Sequence, residues 1–217
     1  MDGLAAHLAW VDPWLLPLDE GAAWPISRLE AVAALLSLVM VGFNLRVNPL
    51  GWPLAIVSSA LYGLLFARSR LYGEAALQLV FIALSVWGWG QWLRGRADSG
   101  GQPRVSRLTS TGRWWALMAA LLLWPLIGGA LDVATDSDVP YWDALPTAGS
   151  LVGQWLLARK RVDNWPCWLA VNLVSMALFA HKGLWLTVAL YGVFAALSVL
   201  GWRAWLREAS PRWSGLP

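Results

Sequence analysis

The stretch "ALSVWGWGQWLR" at residues 83–94 returns as "ALSVLGWRAWLR" at residues 196–207. The same offset holds without a gap back to a Trp-Pro pair that begins at Trp52 and again at Trp165. Counted from Trp52, 19 of 43 positions are identical. Apolar segments often match by chance, but paired Trp-Pro and Gly-Trp at one constant offset do not. The sequence therefore contains an internal duplication.

Composition places this duplicated chain in a bilayer. Hydrophobic residues make up 58% of the sequence and charged residues 13%, too little polar surface to cover a soluble globule. Several continuous apolar runs approach the roughly 20 residues that cross a bilayer as a helix, and they lack the alternation of a membrane β-barrel. The sequence predicts seven transmembrane helices, at about 29–46, 52–68, 71–93, 114–131, 143–159, 165–181 and 184–206.

The duplication gives these helices an order. Three fall in the first repeat, 29–93, and three in the second, 143–207, while 94–131 supplies a cytoplasmic loop and a linker helix. Each repeat has an odd number of spans, so the second repeat would be inverted in the membrane if it followed the first directly. The linker helix adds one span and gives both repeats the same orientation. We therefore predict an all-α membrane protein with a 3+1+3 parallel repeat, related by an axis along the membrane normal. Carriers of this kind usually bind substrate between the halves, near the middle of the membrane.

The two ends lie outside the repeats. Residues 1–28 are interrupted by Pro13 and contain acids, so we expect an external segment at the membrane interface. This segment lacks the basic region of a cleaved signal peptide, and we expect it to remain on the mature protein. Residues 208–217 are predicted to form a cytoplasmic tail.

Lysine and arginine fall unevenly on the two sides of the predicted spans. With the N-terminus outside, twelve of the 16 lie on the cytoplasmic side and four opposite. This bias predicts an external N-terminus and a cytoplasmic C-terminus. The net charge of +3 then reflects the orientation of the chain in the membrane, and it does not indicate nucleic-acid binding. The cytoplasmic set is Arg46, Arg94, Arg96, Arg104, Arg107, Arg113, Arg159, Lys160, Arg161, Arg203, Arg207 and Arg212; the external set is Arg28, Arg68, Arg70 and Lys182.

Polar residues recur inside the spans. The offset lays Asn172 on Ser59 and Gln78 on Tyr191, and Gln154 adds a fifth polar position. Because polar groups that face lipid are costly, we expect these positions to share an interior. The alternative is that they join helices by hydrogen bonds of about 0.6–2 kcal/mol each. The sequence leaves both open.

One helix face combines aromatic rings with an amide. Trp165, Trp168, Asn172, Ser175 and Phe179 follow helical spacing along one stripe. Flat π-faces beside a group that both donates and accepts hydrogen bonds suit a planar, polar or cationic heterocycle.

Tryptophan also has structural uses at membrane interfaces. Trp165 is matched by Trp52, so helix-start packing explains it as well as ligand binding does. Trp168 is matched by Ala55, and this break in the repeat favours a ligand role. The group Trp87, Trp89 and Trp92, near the cytoplasmic end of its span, is predicted to anchor the interface.

Two segments resemble a known family. They are "NWPCWLAVNLVSMALF" (164–179), with the pattern Asn-Trp-x-x-Trp-x-x-x-Asn, and "LYGEAALQLVFIALSVWGWGQW" (71–92). Together they are similar to the PnuC family of bacterial vitamin transporters, over about 29–207. The resemblance implies a SWEET-like architecture, a homotrimer in the inner membrane, and facilitated diffusion of nicotinamide riboside, which cytoplasmic phosphorylation then traps. Relatives in this family carry thiamine or riboflavin, and these remain alternatives.

The resemblance also implies a binding site. By motif position, Trp165, Trp168 and Asn172 belong to it, with Gln78 and Tyr191 opposite. Together with the polar and aromatic positions above, the candidate substrate-binding set is Trp168, Asn172, Trp165, Gln78, Tyr191, Gln154, Ser59 and Phe179.

Other classes of protein fit less well. The sequence has no HExxH motif, His7 and His181 lie near predicted span ends, and Cys167 has no evident base, so we expect no catalytic residue, metal or cofactor. A structural or signalling protein would not explain the repeat with polar pairs, although a paralogue that had lost transport could keep both. A SWEET-like sugar carrier is the nearest rival by topology, but its Pro-Gln hallmark is missing.

Acidic residues avoid the middle of every predicted span. Glu30, Glu74 and Asp143 all lie within about one turn of an end. Proton-driven carriers usually need a titratable group inside the membrane. The sequence therefore predicts a uniporter.

Overall fold

A computed structural model describes residues 12–16, 27–68, 72–98, 105–134, 139–181 and 185–209. These residues form eight helices. The first, α1 (Asp12–Leu15), is a single turn, and the other seven have at least 18 residues each. The long helices are α2 (Arg28–Leu45), α3 (Gly51–Arg68), α4 (Tyr72–Asp98), α5 (Ser110–Ala134), α6 (Pro140–Ala158), α7 (Asn164–His181) and α8 (Trp185–Ala209).

Each predicted span coincides with one long helix, because a continuous apolar run leaves few alternatives to a helix. By length and composition alone, four can cross a membrane: Arg28–Leu45, Ala75–Arg94, Ser110–Ala134 and Thr187–Ala209. The other three, α3, α6 and α7, have 18, 19 and 18 residues, which at about 1.5 Å per residue still approaches the hydrocarbon thickness. Two of them, α6 and α7, carry polar residues that face a cavity described below.

Local signals fix the ends of α2 and α6. Ser27 caps α2, because its Oγ accepts a hydrogen bond from the Glu30 backbone N–H at 3.1 Å. Proline is favoured in the first turn of a helix, and Pro140 begins α6. Both helices end in a left-handed turn, at Val47 (φ 50°) and Lys160 (φ 51°). These two positions are related by the repeat offset, so the duplication includes the turn.

The helices pack as two three-helix units. Within each unit, neighbours in sequence pack together: α2 with α3 with α4, and α6 with α7 with α8. Between units, α4 packs against α6 and α8 packs against α2. The duplication relates these two contacts, since α4 corresponds to α8 and α2 to α6.

The linker helix α5 is attached to the second unit at both ends. Ser106, just before α5, pairs with Arg161 through their backbones as an isolated β-bridge. In this pairing the Val162 N–H donates to the Ser106 carbonyl at 2.9 Å. Near the other end of α5, Trp124 Nε1 donates to the Tyr141 carbonyl at 2.7 Å. The linker therefore belongs structurally with α6, α7 and α8.

Four buried tryptophans form a cluster where α2 and α6 end. Trp52, Trp92, Trp165 and Trp205 are at most 3% exposed. The Trp52–Trp92 and Trp165–Trp205 pairs each meet edge to face at 5.5 Å. The expectation that Trp92 anchors the membrane interface is wrong, because its ring is wholly inside this tryptophan cluster.

Two glycines explain why Gly-Trp recurs with Trp-Pro. A side-chain carbon at Gly88 would overlap the ring of Trp52, and one at Gly201 would overlap the ring of Trp165. Each glycine therefore provides the space in which a ring of the tryptophan cluster sits.

Only part of the N-terminal segment is described. Within it, Asp12 pairs with Arg68 at the end of α3, at 2.6 Å between Oδ1 and Nε. Residues 1–11 and 17–26 of the predicted interfacial segment lie outside the described residues, and so do residues 135–138 and residues 210–217 of the predicted tail.

Candidate functional site

A cavity of about 490 Å³ lies between the two three-helix units. Its walls come from α2, α4, α6, α7 and α8, and α3 contributes only Phe66. Its size is within the usual range for small-molecule sites. The polar residues that line it are Ser37, Asn44, Gln78, Asp143, Thr147, Ser150, Gln154, Asn164, Asn172, Ser175, Tyr191 and Ser198.

The cavity gathers most of the predicted site residues. Seven of the eight candidates line it, from four different helices: Gln78, Gln154, Trp165, Trp168, Asn172, Phe179 and Tyr191. Ser59 does not line it, contrary to prediction. The physical reason lies next to it in α3: the Ser58 Oγ bonds the Ser37 Oγ at 2.7 Å and donates to the Ala33 carbonyl at 3.0 Å. This contact turns the Ser58 face of α3 toward α2, and Ser59, about 100° further around the helix, lies outside the cavity wall.

Asn172 and Gln154 each bridge two helices inside the cavity wall. Asn172 Nδ2 donates to Ser198 Oγ, and Gln154 Nε2 donates to Ser85 Oγ, both at 3.2 Å. The two serine acceptors occupy equivalent positions of the two repeats. Each amide has two N–H donors and an acceptor oxygen, so one interhelical bond leaves capacity for a ligand. The two interpretations left open by the sequence are therefore compatible.

Trp168 lies against a helix that has no side chain at the point of contact. A carbon added to Gly153 in α6 would be 3.2 Å from Trp168 Cε2. In the first repeat, the corresponding positions hold Met40 and Ala55, so the large and small residues are exchanged between the two helices. Gly153 is therefore what makes room for the indole beside the cavity.

An aromatic group forms the end of the cavity opposite the tryptophan cluster. Phe179 and Tyr191 have ring centroids 5.1 Å apart, and Tyr191 meets Phe194 edge to face at 6.0 Å. Trp165, which also lines the cavity, joins its other end to the tryptophan cluster. The cavity thus has aromatic rings at both ends and amides between them.

Several lining residues escaped the sequence analysis. Asp143, in the first turn of α6, is half-buried and is the one charged residue among those that line the cavity in the described part of the chain. Asn44 and Asn164 lie at the helix ends beside the tryptophan cluster. Their repeat partners are Leu157 and Gly51, so neither asparagine belongs to a polar pair of the two repeats. Ser37 and Ser150 are such a pair and could have been found.

The chemistry of the cavity is that of a binding site. It offers π-faces, amides, hydroxyls and one carboxylate, which suit a planar polar or cationic ligand. Among the described residues, no cluster of histidine, cysteine or acidic side chains could hold a metal ion. Cys167 lies outside this cavity, where its thiol donates to the Gly149 carbonyl at 3.3 Å.

A larger groove of about 750 Å³ lies between the first part of α5 and the helices α6, α7 and α8. Its walls are mostly aliphatic, and its acid, Asp163, is paired with Arg113 at 2.7 Å between Oδ1 and Nε. It lacks the convergent polar groups of a specific site. The smaller cavity is therefore the better candidate.

Comparison with known proteins identifies similar membrane carriers. A family model described as nicotinamide mononucleotide transporter matches residues 27–207, most of the chain. The nicotinamide riboside transporter PnuC of Escherichia coli is 23% identical over 223 residues, covering 92% of this chain and 93% of the relative. The riboflavin/roseoflavin transporter RibM of Streptomyces davaonensis is 29% identical over 210 residues, with 92% and 94% covered.

A solved structure has the same fold. The crystal structure of the vitamin B3 transporter PnuC matches with a TM-score of 0.69 over 95% of this chain and 87% of that chain, at 20% identity. At this identity the likeness establishes the fold alone.

Proposed function

Because this chain belongs to the PnuC family of membrane transporters, we propose that it takes up nicotinamide riboside across the bacterial inner membrane by facilitated diffusion. The family match makes the protein a multi-pass transporter rather than an enzyme. Cytoplasmic phosphorylation of the imported riboside would trap it and maintain the inward gradient. The family assignment leaves no support for the sugar-carrier alternative.

The observation that carries the choice of substrate is the charge of the cavity. Asp143 lines it beside aromatic residues and amides. Nicotinamide riboside and thiamine both carry a positively charged ring, whereas riboflavin is neutral. Cation–π attraction and the carboxylate both favour a cationic ring. The sizes of the two ligands do not separate them, so thiamine remains the same-family alternative.

Riboflavin is the second candidate because of one comparison. The riboflavin/roseoflavin transporter RibM has a higher identity to this chain, 29%, than the Escherichia coli PnuC does, 23%. Aromatic rings would stack on a neutral flavin as well. The absence of a cationic ring in riboflavin is the property that separates the candidates.

Calorimetric titration of the purified protein tests the substrate. We expect saturable binding of nicotinamide riboside, with weaker or no binding of riboflavin, at matched ligand concentrations. Tight binding of riboflavin alone would assign the site to the second candidate. Uptake of the bound vitamin into proteoliposomes then distinguishes a transporter from a paralogue that only binds.

We propose uniport because the described spans carry no acidic residue in their middle. Asp143 reaches the cavity, but from the first turn of α6. Uptake into proteoliposomes should equilibrate and should not respond to an imposed pH difference. Accumulation above the external concentration, driven by the pH difference alone, would contradict uniport and would direct attention to Asp143.

We also propose the 3+1+3 arrangement with an external N-terminus. The offset between the repeats recurs in contacts as well as in sequence, which supports the parallel repeat, and the Lys and Arg bias supports the orientation. In a Cys167→Ser background, a cysteine at Ser137 should react with an impermeant thiol reagent on intact spheroplasts, and one at Ser99 should not. The reverse pattern would overturn the topology.

A homotrimer, implied by the family resemblance, is carried forward as part of the proposal. The outer face of α5 supports an apolar partner or lipid, since Trp115, Leu122 and Leu126 are 66–72% exposed. Native mass spectrometry from detergent should detect three copies. A monomer that keeps full transport would show that the trimer is dispensable.

A further inference from the structure

The tryptophan cluster closes the cavity at one end of the molecule. Trp165 belongs to both, since it lines the cavity and meets Trp205 edge to face. Trp92 and Trp205, from opposite repeats, are in contact at 6.0 Å between ring centroids. All members are at most 3% exposed. A ligand leaving the cavity toward the ends of α2 and α6 would have to pass through these rings.

Two hydrogen bonds tie the repeats together at this point. Trp92 Nε1, in the first repeat, donates to the Leu157 carbonyl in the second at 3.1 Å. Trp205 Nε1, in the second repeat, donates to the Asn44 carbonyl in the first at 3.0 Å. The two donors occupy equivalent positions of the repeats, and so do the two acceptors. The closure is thus made of one contact used twice, in opposite directions.

The helix ends that supply these carbonyls are conformationally unusual. Asn44 and Leu157 lie in the last turns of α2 and α6, just before the left-handed residues Val47 and Lys160. A left-handed conformation is unfavourable for residues other than glycine, and especially for a β-branched one such as valine. Strained backbone of this kind persists where surrounding contacts hold it and often marks a moving part.

Other groups oppose the closure. Among the described residues, the indole N–H of Trp52 and that of Trp165 find no hydrogen-bond partner, although both are buried. The same is true of the side-chain oxygens of Asn44 and Asn164. Burying an unpaired polar group is costly, and opening would expose these groups to water. The closed arrangement is therefore held by some groups and opposed by others at the same place.

We propose that the tryptophan cluster is the gate through which the substrate leaves the cavity, and that the bonds from Trp92 and Trp205 are its latch. This proposal rests on the proposed transport function and places the gate on the cytoplasmic side in the proposed orientation. Opening separates the repeats at α2–α8 and α4–α6, breaks both bonds and hydrates the unpaired groups. Because the unpaired groups gain water on opening, the open state costs less free energy than the loss of the two bonds alone would require.

The test measures opening without any vitamin, so it does not depend on the substrate. In a Cys167→Ser background, Ser150→Cys places a thiol in the cavity wall, and an impermeant thiol reagent is added to inverted and to right-side-out vesicles. Trp92→Phe and Trp205→Phe each remove one donor and keep a ring. Each should accelerate labelling from the cytoplasmic face by about three- to tenfold, the usual effect of one hydrogen bond.

Trp52→Phe distinguishes a latch from general loosening. It removes an unpaired N–H rather than a bond, so it should slow labelling from the cytoplasmic face. Trp114→Phe, at an exposed position of α5 outside the face formed by Trp115, Leu122 and Leu126, is the matched control and should change nothing.

Three outcomes would overturn the gate. They are unchanged labelling in Trp92→Phe and Trp205→Phe, equal acceleration from both faces, and acceleration by Trp52→Phe equal to that by Trp92→Phe. Failure of the vitamin-binding titration alone would leave this result standing, because it would refute the substrate and not the gate.

Discussion

The second helices of the two repeats, α3 and α7, begin alike and then differ. Each starts with a tryptophan seated on a glycine of the next helix, Trp52 on Gly88 and Trp165 on Gly201. Further along, α3 gives the cavity only Phe66, whereas α7 gives it eight residues. A ligand such as a nucleoside has no symmetry, so unlike cavity walls can contact it more specifically than like ones. The tryptophan cluster joins two similar repeats, and there the same contacts can be used twice.

The divergence has a local cause. In the first repeat, Ser58 bonds Ser37 and holds α3 against α2. In the second repeat, Val171 stands in place of Ser58 and cannot form this bond. There, the Trp168 ring lies against Gly153 instead. One helix is thus joined to its neighbour by hydroxyls and the other by an indole that reaches the cavity.

The largest effect is expected from removing the Trp168 indole, which distinguishes α7 from α3. Trp168→Ala should weaken binding of all flat-ringed vitamins by about 1–3 kcal/mol, because it deletes a stacking surface. Calorimetry measures the loss, and Trp168→Phe should restore part of it. The control is Trp114→Ala, at an exposed position of α5 outside the face formed by Trp115, Leu122 and Leu126. Unchanged affinity in a well-folded Trp168→Ala protein would mean that the ring only packs.

The amide tests selectivity rather than stacking. Asn172→Leu keeps the bulk but leaves a polar group of the ligand unpaired, at a cost of about 1–3 kcal/mol that falls on ligands bearing that group. The ranking of the vitamins should therefore change. Ser59→Leu, at the same position of the first repeat, should leave the ranking unaltered. Equal effects from both substitutions would show that the repeats do not differ as the cavity lining indicates. Membrane levels must match the parent protein, since Asn172 also bonds Ser198.

Asp143 gives α6 a charge at the cavity that α2, the corresponding helix of the first repeat, does not provide. Asp143→Asn should reduce affinity for nicotinamide riboside by about 1–2 kcal/mol, as expected when one partial Coulomb interaction at intermediate dielectric is lost. Riboflavin binding should not fall. Glu30→Gln changes the corresponding residue of the first repeat, which does not line the cavity, and should have no effect on either ligand. A loss that is the same for cationic and neutral ligands would rule out a role of charge.

The smallest effect is expected from the glycine beneath the indole. Gly153→Ala should push Trp168 toward the cavity by a few tenths of an ångström and change affinity by less than about fivefold, or about 1 kcal/mol. Gly42→Ala, also inside a helix, has nothing within 4 Å of the added carbon and controls for the helix propensity gained. A change of affinity in Gly42→Ala as large as that in Gly153→Ala would remove the special role of the contact.

Sequence reasoning found what periodicity encodes. Helix positions followed from apolar runs, and the α7 stripe from Trp165 to Phe179 followed from helical spacing, so both could be predicted. Asp143 was considered only as an acid near the end of its span, and the sequence did not show that the cavity extends to that end. Ser59 was included because the repeats were assumed to be equivalent. Trp92 was assigned to the interface because sequence alone does not show which face of a helix meets the opposite repeat.

The reciprocal bonds of Trp92 and Trp205 have a consequence for the origin of the chain. A contact in which residue i of one half meets residue j of the other, and j meets i, is the isologous contact of a twofold dimer. Two separate copies of a three-helix protein could form it before any gene fusion. An identical pair of subunits would carry Trp168 and Gly153 twice. The first repeat instead has Ala55 and Met40 at these positions, so this contact has no counterpart there. The contacts of Trp92 and Trp205 are therefore compatible with a dimeric ancestor, whereas the wall around Trp168 required the two copies to differ in sequence.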